Sequence, residues 1–184
     1  MSQAVQTNIP PLLQQLVSRC RTEPIVFDGV RPELCPALEQ LILERVKNAH
    51  GRSLGSLNIG GWKSGEDFFS WPDAAVQELR QTVVNLIGHP SPVAWVMVNR
   101  LGSHHPRHQH RIASLSGIYY VTRGDEDAIT PTIFECHCNA SRRYDLEIEP
   151  DLGRLVLCSG EMWHRLPTYT GKSPRITIVF DVRR

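Results

Sequence analysis

The sequence lacks the features that mark membrane-spanning, secreted and nucleic-acid-binding chains. It contains no apolar run long enough to cross a membrane, and its N-terminus does not show the charged-then-apolar pattern of a signal peptide. Its net charge is only +1, from 20 basic and 19 acidic residues, so no strong overall field attracts nucleic acid or an anionic membrane. We therefore expect a soluble, cytoplasmic protein that binds neither.

The sequence lacks a disulfide framework, because the number and spacing of its cysteines do not suggest one. An odd number of irregularly spaced cysteines fits a reducing compartment; the five are Cys20, Cys35, Cys136, Cys138 and Cys158. The triplet Cys136-His137-Cys138 could begin a zinc site, but no second cysteine pair lies nearby. Because these residues alternate along a predicted strand, we favour buried thiols.

The pattern of apolar residues predicts helices first and strands later. Residues 1–184 are expected to form one domain, with a flexible arm over 1–11, helical support over 12–88 and a β core over 89–184. Helical spacing and turn residues predict helices over Leu12–Arg21, Pro32–Ala49 and Asp73–Gly88, and a short strand over Ile25–Phe27. Further short β-type runs are predicted at Val93–Val98, Ser116–Val121, Thr132–Cys138, Arg154–Cys158 and Arg175–Val182. This order is typical of an α+β, mainly β protein: a barrel or cupin-like jelly roll flanked by N-terminal helices.

Histidines are concentrated in one short segment. His104, His105, His108 and His110 fall within seven residues, and neutral imidazole is a common metal ligand. On a strand, positions i and i+2 face the same side, so His108 and His110 could hold one ion together with His164 from another strand. The H-x-H pattern alone is a weak signal, and a histidine-rich surface turn without a ligand is the alternative.

The C-terminal strand carries a candidate anion receptor. Arg175 and Thr177 share one face of the strand by alternation, and a guanidinium beside a hydroxyl suits a carboxylate. The alternative is that Arg175 lies at a strand end or pairs with a carboxylate such as Glu135 or Glu161.

Three blocks in sequence order carry a more specific resemblance. NIGGWKSGEDF, HPRHQHRIASLSGIYYV and GRLVLCSGEMWHRLPTYTGKSPRITIVF resemble successive motifs of a family of 2-oxoglutarate- and Fe(II)-dependent oxygenases, whose members carry GGW-x-S, H-x-H before SG-x-YY, and a distal histidine before R-x-S/T. The resemblance extends from about Asn58 to Asp181. It implies a double-stranded β-helix, a distorted jelly roll with iron at its open end.

The resemblance also implies roles for individual residues. His108, His110 and His164 match the family's iron ligands and catalytic centre, and Arg175 with Thr177 matches the pair that holds the far carboxylate of 2-oxoglutarate. Most 2-oxoglutarate oxygenases use two histidines and one carboxylate, whereas this chain has His110 in the carboxylate position. An imidazole there leaves the ferrous site one charge more positive.

Other residues near these motifs are candidates for the cosubstrate. Asn99 could orient a ligand or 2-oxoglutarate, or it could cap a turn. Tyr119 and Tyr120 alternate across a strand, so one should face the cavity and the other should pack outside. We assign Tyr119 to the cosubstrate and Tyr120 to the substrate side.

The remaining candidates are expected to contact the substrate. Trp62, Lys63 and Ser64 would form an entrance loop, although Trp62 could instead be a core anchor. His105 could support a ligand or face the substrate, and solvent exposure is the alternative.

The resemblance therefore implies a dioxygenase that uses Fe(II), 2-oxoglutarate and dioxygen, and we expect it to oxidise a small metabolite such as one derived from an amino acid. One alternative is a cupin-type oxygenase with three histidines that does not use 2-oxoglutarate; another is a jelly roll that binds a small molecule without catalysis. An exposed sheet edge could support a homodimer.

Overall fold

The computed structural model describes residues 10–49, 58–139 and 142–183. Within them, two antiparallel sheets face each other, one of six strands and one of four. The strands of the first sheet lie in the order β1-β8-β5-β10-β3-β2, and those of the second in the order β4-β9-β6-β7. The predicted class, a mainly β jelly roll with helices on its N-terminal side, is confirmed.

In the described residues, three helices precede most of the β structure. They are α1 (Pro11–Arg19), α2 (Cys35–Asn48) and α3 (Ala74–Ile87). Helix α3 begins directly after Asp73 and ends at Gly88, whose φ of 65° is the left-handed conformation that glycine adopts most easily. None of the helices in the described ranges combines the length and apolar character needed to span a bilayer.

Ten strands supply the two sheets. In chain order they are β1 (Ile25–Phe27), β2 (Trp62–Lys63), β3 (Val93–Asn99), β4 (His105–His108), β5 (Ala113–Tyr120), β6 (Thr132–Asn139), β7 (Arg142–Ile148), β8 (Leu155–Ser159), β9 (His164–Leu166) and β10 (Arg175–Arg183). The sequence pattern missed β2, β4, β7 and β9, because these strands are short or carry polar residues on both faces. Two of them, β4 and β9, carry the histidines.

The six-stranded sheet has two different apolar faces. Along β10, Ile176, Ile178 and Phe180 pack into the core beneath the helices. Val179 alternates with them and faces the second sheet, as Trp95 and Ile118 do from neighbouring strands. The space between the sheets is therefore lined by the odd-numbered positions of β10.

Gly117 in the middle of β5 is required by packing. It lies opposite Phe180 in the pairing of β5 with β10, and a Cβ at this position would collide with the Phe180 ring. The aromatic ring occupies the space that a side chain on β5 would take, which brings the ring into the helix-side core.

Two sequence predictions fall partly outside the described residues. These are residues 1–9 of the predicted arm and residues 50–57 of the predicted helical support. Of the remaining arm residues, Pro11 is the first residue of α1 rather than part of the flexible arm.

Candidate metal centre

Two histidines meet across a pair of strands at the mouth of the jelly roll. His108, the last residue of β4, lies directly opposite His164, the first residue of β9. Their ring centroids are 4.3 Å apart, and the His110 ring lies 5.4 Å from His108 and 5.2 Å from His164. One ligand atom from each of the three lies within 4.8 Å of the others, which is close enough for a shared metal ion.

His110 reaches this cluster by a different route from the one that strand alternation predicts. Strand β4 ends at His108, so the argument that positions i and i+2 share a strand face is wrong here. Instead, the His110 N–H donates to the Gly160 carbonyl (2.8 Å), and the His110 carbonyl accepts from Ala113 N–H (2.8 Å). A Cβ at Gly160 would collide with the Ala113 carbonyl oxygen, so glycine is needed to hold this turn against β8.

Hydrogen bonds at Nδ1 fix the orientation of the three imidazole rings. Nδ1 of His108 lies 2.8 Å from the Pro106 carbonyl, and Nδ1 of His164 lies 3.1 Å from the Met162 carbonyl. Nδ1 of His110 lies 2.8 Å from a carboxylate oxygen of Asp181. Because carbonyls and carboxylates only accept, each Nδ1 carries the proton and each Nε2 keeps a lone pair for a metal.

The protein environment also favours neutral imidazoles. Burial lowers the pKa of His164 well below its usual value, and the neighbouring His108 and His110 lower it further. Burial likewise lowers the pKa of His108. Neutral imidazole is the form that binds metal ions, so these residues suit a ferrous ion.

Arg175 lies buried in the same cavity and is only 2% exposed. Its Nη2 donates to Thr132 Oγ1 (2.9 Å), and its guanidinium lies 5.1 Å from the Tyr120 ring centroid. Within the described residues its Nε has no hydrogen-bond partner and no carboxylate pairs with it. The alternative pairing with Glu135 does not occur, since Glu135 binds Arg107 instead.

A cavity of about 310 Å³ connects the histidines to Arg175. Its polar lining consists of His105, His108, His110, His164, Thr132, Arg175 and Thr177, and its apolar wall of Trp95, Met97, Ile118, Leu166 and Val179. Lys63 and Arg165 complete the lining. Trp95 lies against His110, with ring centroids 5.6 Å apart. The cavity thus offers a metal-binding end, a cationic end and an apolar side.

The assignment of Tyr119 to the cosubstrate is wrong. Tyr119 lies on the helix side of the six-stranded sheet, where its hydroxyl donates to the Arg31 carbonyl (3.0 Å) and contacts the Cys35 thiol (3.4 Å). Tyr120 faces the second sheet, and its hydroxyl donates to Thr132 Oγ1 (2.8 Å). Tyr120 therefore supports the threonine that binds Arg175.

Trp62 and Ser64 do not line the histidine cavity either. Trp62 is buried in the helix-side core, and Ser64 Oγ accepts from Val96 N–H (2.9 Å) and donates to the Gly65 carbonyl. Because β2 pairs with β3, alternation sends Trp62 to the core and Lys63 to the cavity, where its Nζ lies 4.7 Å from the Trp95 ring centroid. Trp62 is the core anchor of the alternative interpretation.

His105 and Asn99 form a polar cluster beside the cavity. His105 Nε2 lies 2.8 Å from Asn58 Oδ1, which also accepts from Asn99 Nδ2 (3.0 Å). Only His105 of this group lines the cavity. Burial lowers its pKa to about 3, so it is neutral at physiological pH. Asn99 is fully buried, and its role as a turn cap is not supported, because it is the last residue of β3 and bonds to side chains.

Three residues that orient the site were not predicted from the sequence: Thr132 beside Arg175, and Ser116 and Asp181 beside His110. Ser116 Oγ donates to Asp181 Oδ1 (2.6 Å) and lies 3.1 Å from His110 Nδ1. The two-residue step from Arg175 to Thr177 continues through Val179 to Asp181 on the same face, and this signal could have revealed the aspartate.

The rival cysteine motif does not form a comparable group. Cys136 is buried, but Cys138 is exposed, so the prediction of two buried thiols is only half right. In the part of the chain that the structure describes, the three histidines are the one cluster of potential ligands that could hold a metal ion.

Facing antiparallel sheets with a three-imidazole cluster define a jelly roll with a candidate metal site. Residues 93–181 match the model of the family described as "Putative 2OG-Fe(II) oxygenase". The β core of this chain is therefore similar to the 2-oxoglutarate- and Fe(II)-dependent oxygenases. No curated protein matches the sequence.

Solved structures of oxygenases share the fold. A prolyl-4-hydroxylase from Pseudomonas putida has a TM-score of 0.64 and 17% identity, covering 94% of this chain and 98% of that one. A prolyl hydroxylase from Trichoplax adhaerens, in complex with a hypoxia-inducible factor peptide fragment, has a TM-score of 0.69 and 14% identity over 94% and 89%. The epimerase SnoN, in complex with Fe³⁺, alpha ketoglutarate and nogalamycin RO, has a TM-score of 0.62 and 12% identity over 91% and 82%. At these identities the likeness establishes the fold.

Proposed function

We propose that this protein is an oxygenase that binds Fe(II) through His108, His110 and His164 and anchors 2-oxoglutarate on Arg175. When bound there, iron, 2-oxoglutarate and dioxygen would together oxidise a substrate C–H bond and give succinate and carbon dioxide as co-products. The residues present fit this chemistry, since three Nε2 lone pairs converge and a buried guanidinium faces the same cavity.

The observation that carries the proposal is the buried, carboxylate-free environment of Arg175. Leaving a charged group buried without a counterion costs several kcal/mol, so such a group is normally paired. Burial lowers the pKa of Arg175, yet a guanidinium remains protonated at any physiological pH. A bound dianion would supply the missing countercharge. One carboxylate of 2-oxoglutarate suits the planar guanidinium, and the Thr177 hydroxyl on the same face is a second donor.

The other end of the cosubstrate would extend toward the histidines. Thr132 holds the guanidinium in place, and Tyr120 in turn holds Thr132, so the receptor is positioned before any ligand arrives. The apolar side formed by Trp95, Met97 and Val179 excludes water from this path. Such exclusion strengthens the interaction of Arg175 with a carboxylate.

We further propose a compact substrate. A cavity of about 310 Å³ is small among ligand sites, and part of it is taken by the cosubstrate. The apolar wall suits an aliphatic or cyclic carbon skeleton, and the nearby Lys63 suits a carboxylate, which together describe a small metabolite derived from an amino acid. The competing substrate class is a peptide that places one amino-acid side chain in the cavity.

We also propose a domain organisation, a compartment and an oligomeric state. Helices and strands share one apolar core, which supports a single domain over residues 1–184. The described cysteines are free thiols, which supports the reducing conditions of the cytoplasm. A homodimer through a sheet edge stays a prediction.

Anaerobic titration with Fe(II) and 2-oxoglutarate tests the proposed function. The wild-type protein should develop a metal-to-ligand charge-transfer absorption band, and it should form succinate when air is admitted. Arg175→Met should weaken 2-oxoglutarate binding at least tenfold, and Arg175→Lys should restore it only in part, because lysine keeps the charge but loses the planar fork. Arg123→Met is the matched control, since Arg123 pairs with Asp151 at the surface.

The alternatives give different results in the same titration. Tight Fe(II) binding without a charge-transfer band or succinate would favour a three-histidine oxygenase that does not use 2-oxoglutarate. Absence of metal binding in the wild-type protein would contradict both enzymes and leave a jelly roll that binds small molecules.

A further inference from the structure

The strongest unassigned feature is a buried carboxylate directly behind the third histidine. Asp181 is 4% exposed, lies on the cavity side of β10, and accepts hydrogen bonds at Oδ1 from His110 Nδ1–H (2.8 Å) and Ser116 Oγ–H (2.6 Å). It makes no ion pair with lysine or arginine in the described residues. Burying a carboxylate costs free energy unless hydrogen-bond or ionic partners stabilise it. Among the described residues, His110 is the only potential ionic partner of Asp181, which links this carboxylate to the histidine cluster.

The negative charge of this carboxylate equals the charge that the proposed metal site lacks. A site with two histidines and one carboxylate brings one negative charge to Fe(II), whereas three neutral imidazoles bring none. Asp181 contributes one negative charge at the far side of the His110 ring. The group formed by His108, His164, His110 and Asp181 thus carries the same net charge as the common ligand set, with the negative charge one imidazole further from the metal.

From this geometry we infer that Asp181 is a positioning residue for the metal centre, which supplies the countercharge that H-x-H omits and fixes His110 with Nε2 toward the ion. The inference rests on the proposed three-histidine iron site. A carboxylate that accepts from Nδ1–H makes the opposite nitrogen a stronger donor and prevents the ring from rotating. Carbonyl oxygens perform the orienting part of this role for His108 and His164, so only His110 receives a full charge.

Ser116 has a defined part in this arrangement. Its hydroxyl donates to the same oxygen, Oδ1, that His110 approaches, which keeps the carboxylate in one rotamer. The strands provide the alignment, because Ser116 is the direct partner of Asp181 in the pairing of β5 with β10. Ser114, two residues earlier on the same strand, instead donates to the Val182 backbone carbonyl (3.0 Å) and so offers a matched control.

The first test measures Fe(II) affinity under anaerobic conditions by competition with a coloured chelator. Asp181→Asn keeps the shape but removes the charge, and we expect affinity to fall about tenfold to a hundredfold. Ser116→Ala should give a smaller loss in the same direction, whereas Ser114→Ala should match the wild type. Wild-type affinity in Asp181→Asn would overturn the inference while leaving the three-histidine site intact. Absence of metal binding by the wild type would instead refute the proposed function itself.

Moving the negative charge from position 181 to position 110 distinguishes a role of Asp181 in metal binding from a general role in folding. His110→Asp combined with Asp181→Asn places one carboxylate on the metal and none behind it, so the double variant should bind Fe(II) more tightly than Asp181→Asn alone. Damage to folding would instead accumulate in the double variant. Equal or weaker binding by the double variant would therefore count against the inference.

A measurement on the wild-type protein avoids variants altogether. With ¹⁵N-labelled histidine and Zn(II) as a diamagnetic probe, His110 should keep its Nδ1 proton while Nε2 shows the shift of a metal ligand. A metal-bound Nδ1, or a freely exchanging Nδ1 proton, would overturn the inference.

Discussion

His108 and His164 are direct partners across the β4–β9 pair, with ring centroids 4.3 Å apart, although 55 residues separate them in the chain. Strand pairing alone therefore brings two of the three proposed ligands together. The salt bridge between Arg107 and Glu135, and the Arg107 guanidinium lying 3.7 Å from the Trp163 ring centroid, brace the same region.

We expect His108→Ala and His164→Ala each to abolish measurable Fe(II) binding, because two imidazoles do not hold the ion against competition from water and buffer. His104→Ala is the matched control, since His104 belongs to the same histidine-rich segment but lies outside the cluster. Isothermal titration with Fe(II) under argon checks the prediction. Equal losses in all three variants would indicate that the segment, and not the cluster, is responsible.

The two adjacent tyrosines should separate stability from cosubstrate binding. Tyr119→Phe removes hydrogen bonds on the helix side, so the free energy of unfolding should fall by about 1 kcal/mol while 2-oxoglutarate affinity stays unchanged. Tyr120→Phe frees Thr132 next to Arg175, so 2-oxoglutarate affinity should fall severalfold. Urea unfolding and 2-oxoglutarate titration of both variants provide the comparison. The reverse pattern would show that Tyr119 serves the cavity after all.

The metal-free protein should lose stability as the pH falls from about 6.5 to about 3. Burial lowers the pKa of His105 to about 3, whereas an unfolded histidine binds a proton near 6.5. Between these values the unfolded state holds one more proton than the folded state, so the free energy of unfolding decreases as the pH decreases. The contribution of His105 is about 1.4 kcal/mol per pH unit within that window.

His105→Gln should reduce this slope by about one proton while keeping a donor for Asn58. His108 and His164, whose pKa values are also lowered, account for part of the slope that remains. Urea unfolding at several pH values measures the difference. An unchanged slope in His105→Gln would mean that His105 is already protonated in the folded protein.

Cysteine accessibility offers a simple test of the fold. Cys138 is exposed, whereas Cys20, Cys35, Cys136 and Cys158 are buried. Burial also raises the pKa of Cys20 and of Cys136 to about 11, which leaves little reactive thiolate. We expect one thiol to react rapidly with a disulfide reagent in the folded protein and five after denaturation. Cys138→Ser should abolish the rapid phase, and its persistence would identify a second accessible thiol.

Much of the fold could be predicted because its longer elements have strong periodic patterns. Helix α3 and strand Ile25–Phe27 lie within a residue of their predicted bounds, since Gly88, Asp28 and Gly29 mark their ends. Strands β4 and β9 could not be predicted, because each has only three or four residues and owes its existence to its partner.

The candidate site could be predicted only in part. Chemistry and motif order pointed to His108, His110, His164 and Arg175, and the structure brings these residues to one cavity. The orientation of the tyrosines required the register of β5 against β10. Thr177 faces the cavity and pairs with Tyr120, so Tyr120 shares its side and Tyr119 points to the helices. No property of the Tyr-Tyr pair by itself distinguishes the two.

Strand β10 contributes alternate residues to two different interiors: Arg175, Thr177 and Val179 line the cavity, and Ile176, Ile178 and Phe180 face the helices. An insertion or deletion of one residue within this strand would exchange the two sets, placing charged groups under the helices and isoleucines beside the histidines. A change of chain length in the 167–174 connection before the strand would leave this alternation intact. The proposed anion receptor Arg175 and the carboxylate of Asp181 beside the third histidine thus share one register, and neither can shift along β10 without the other.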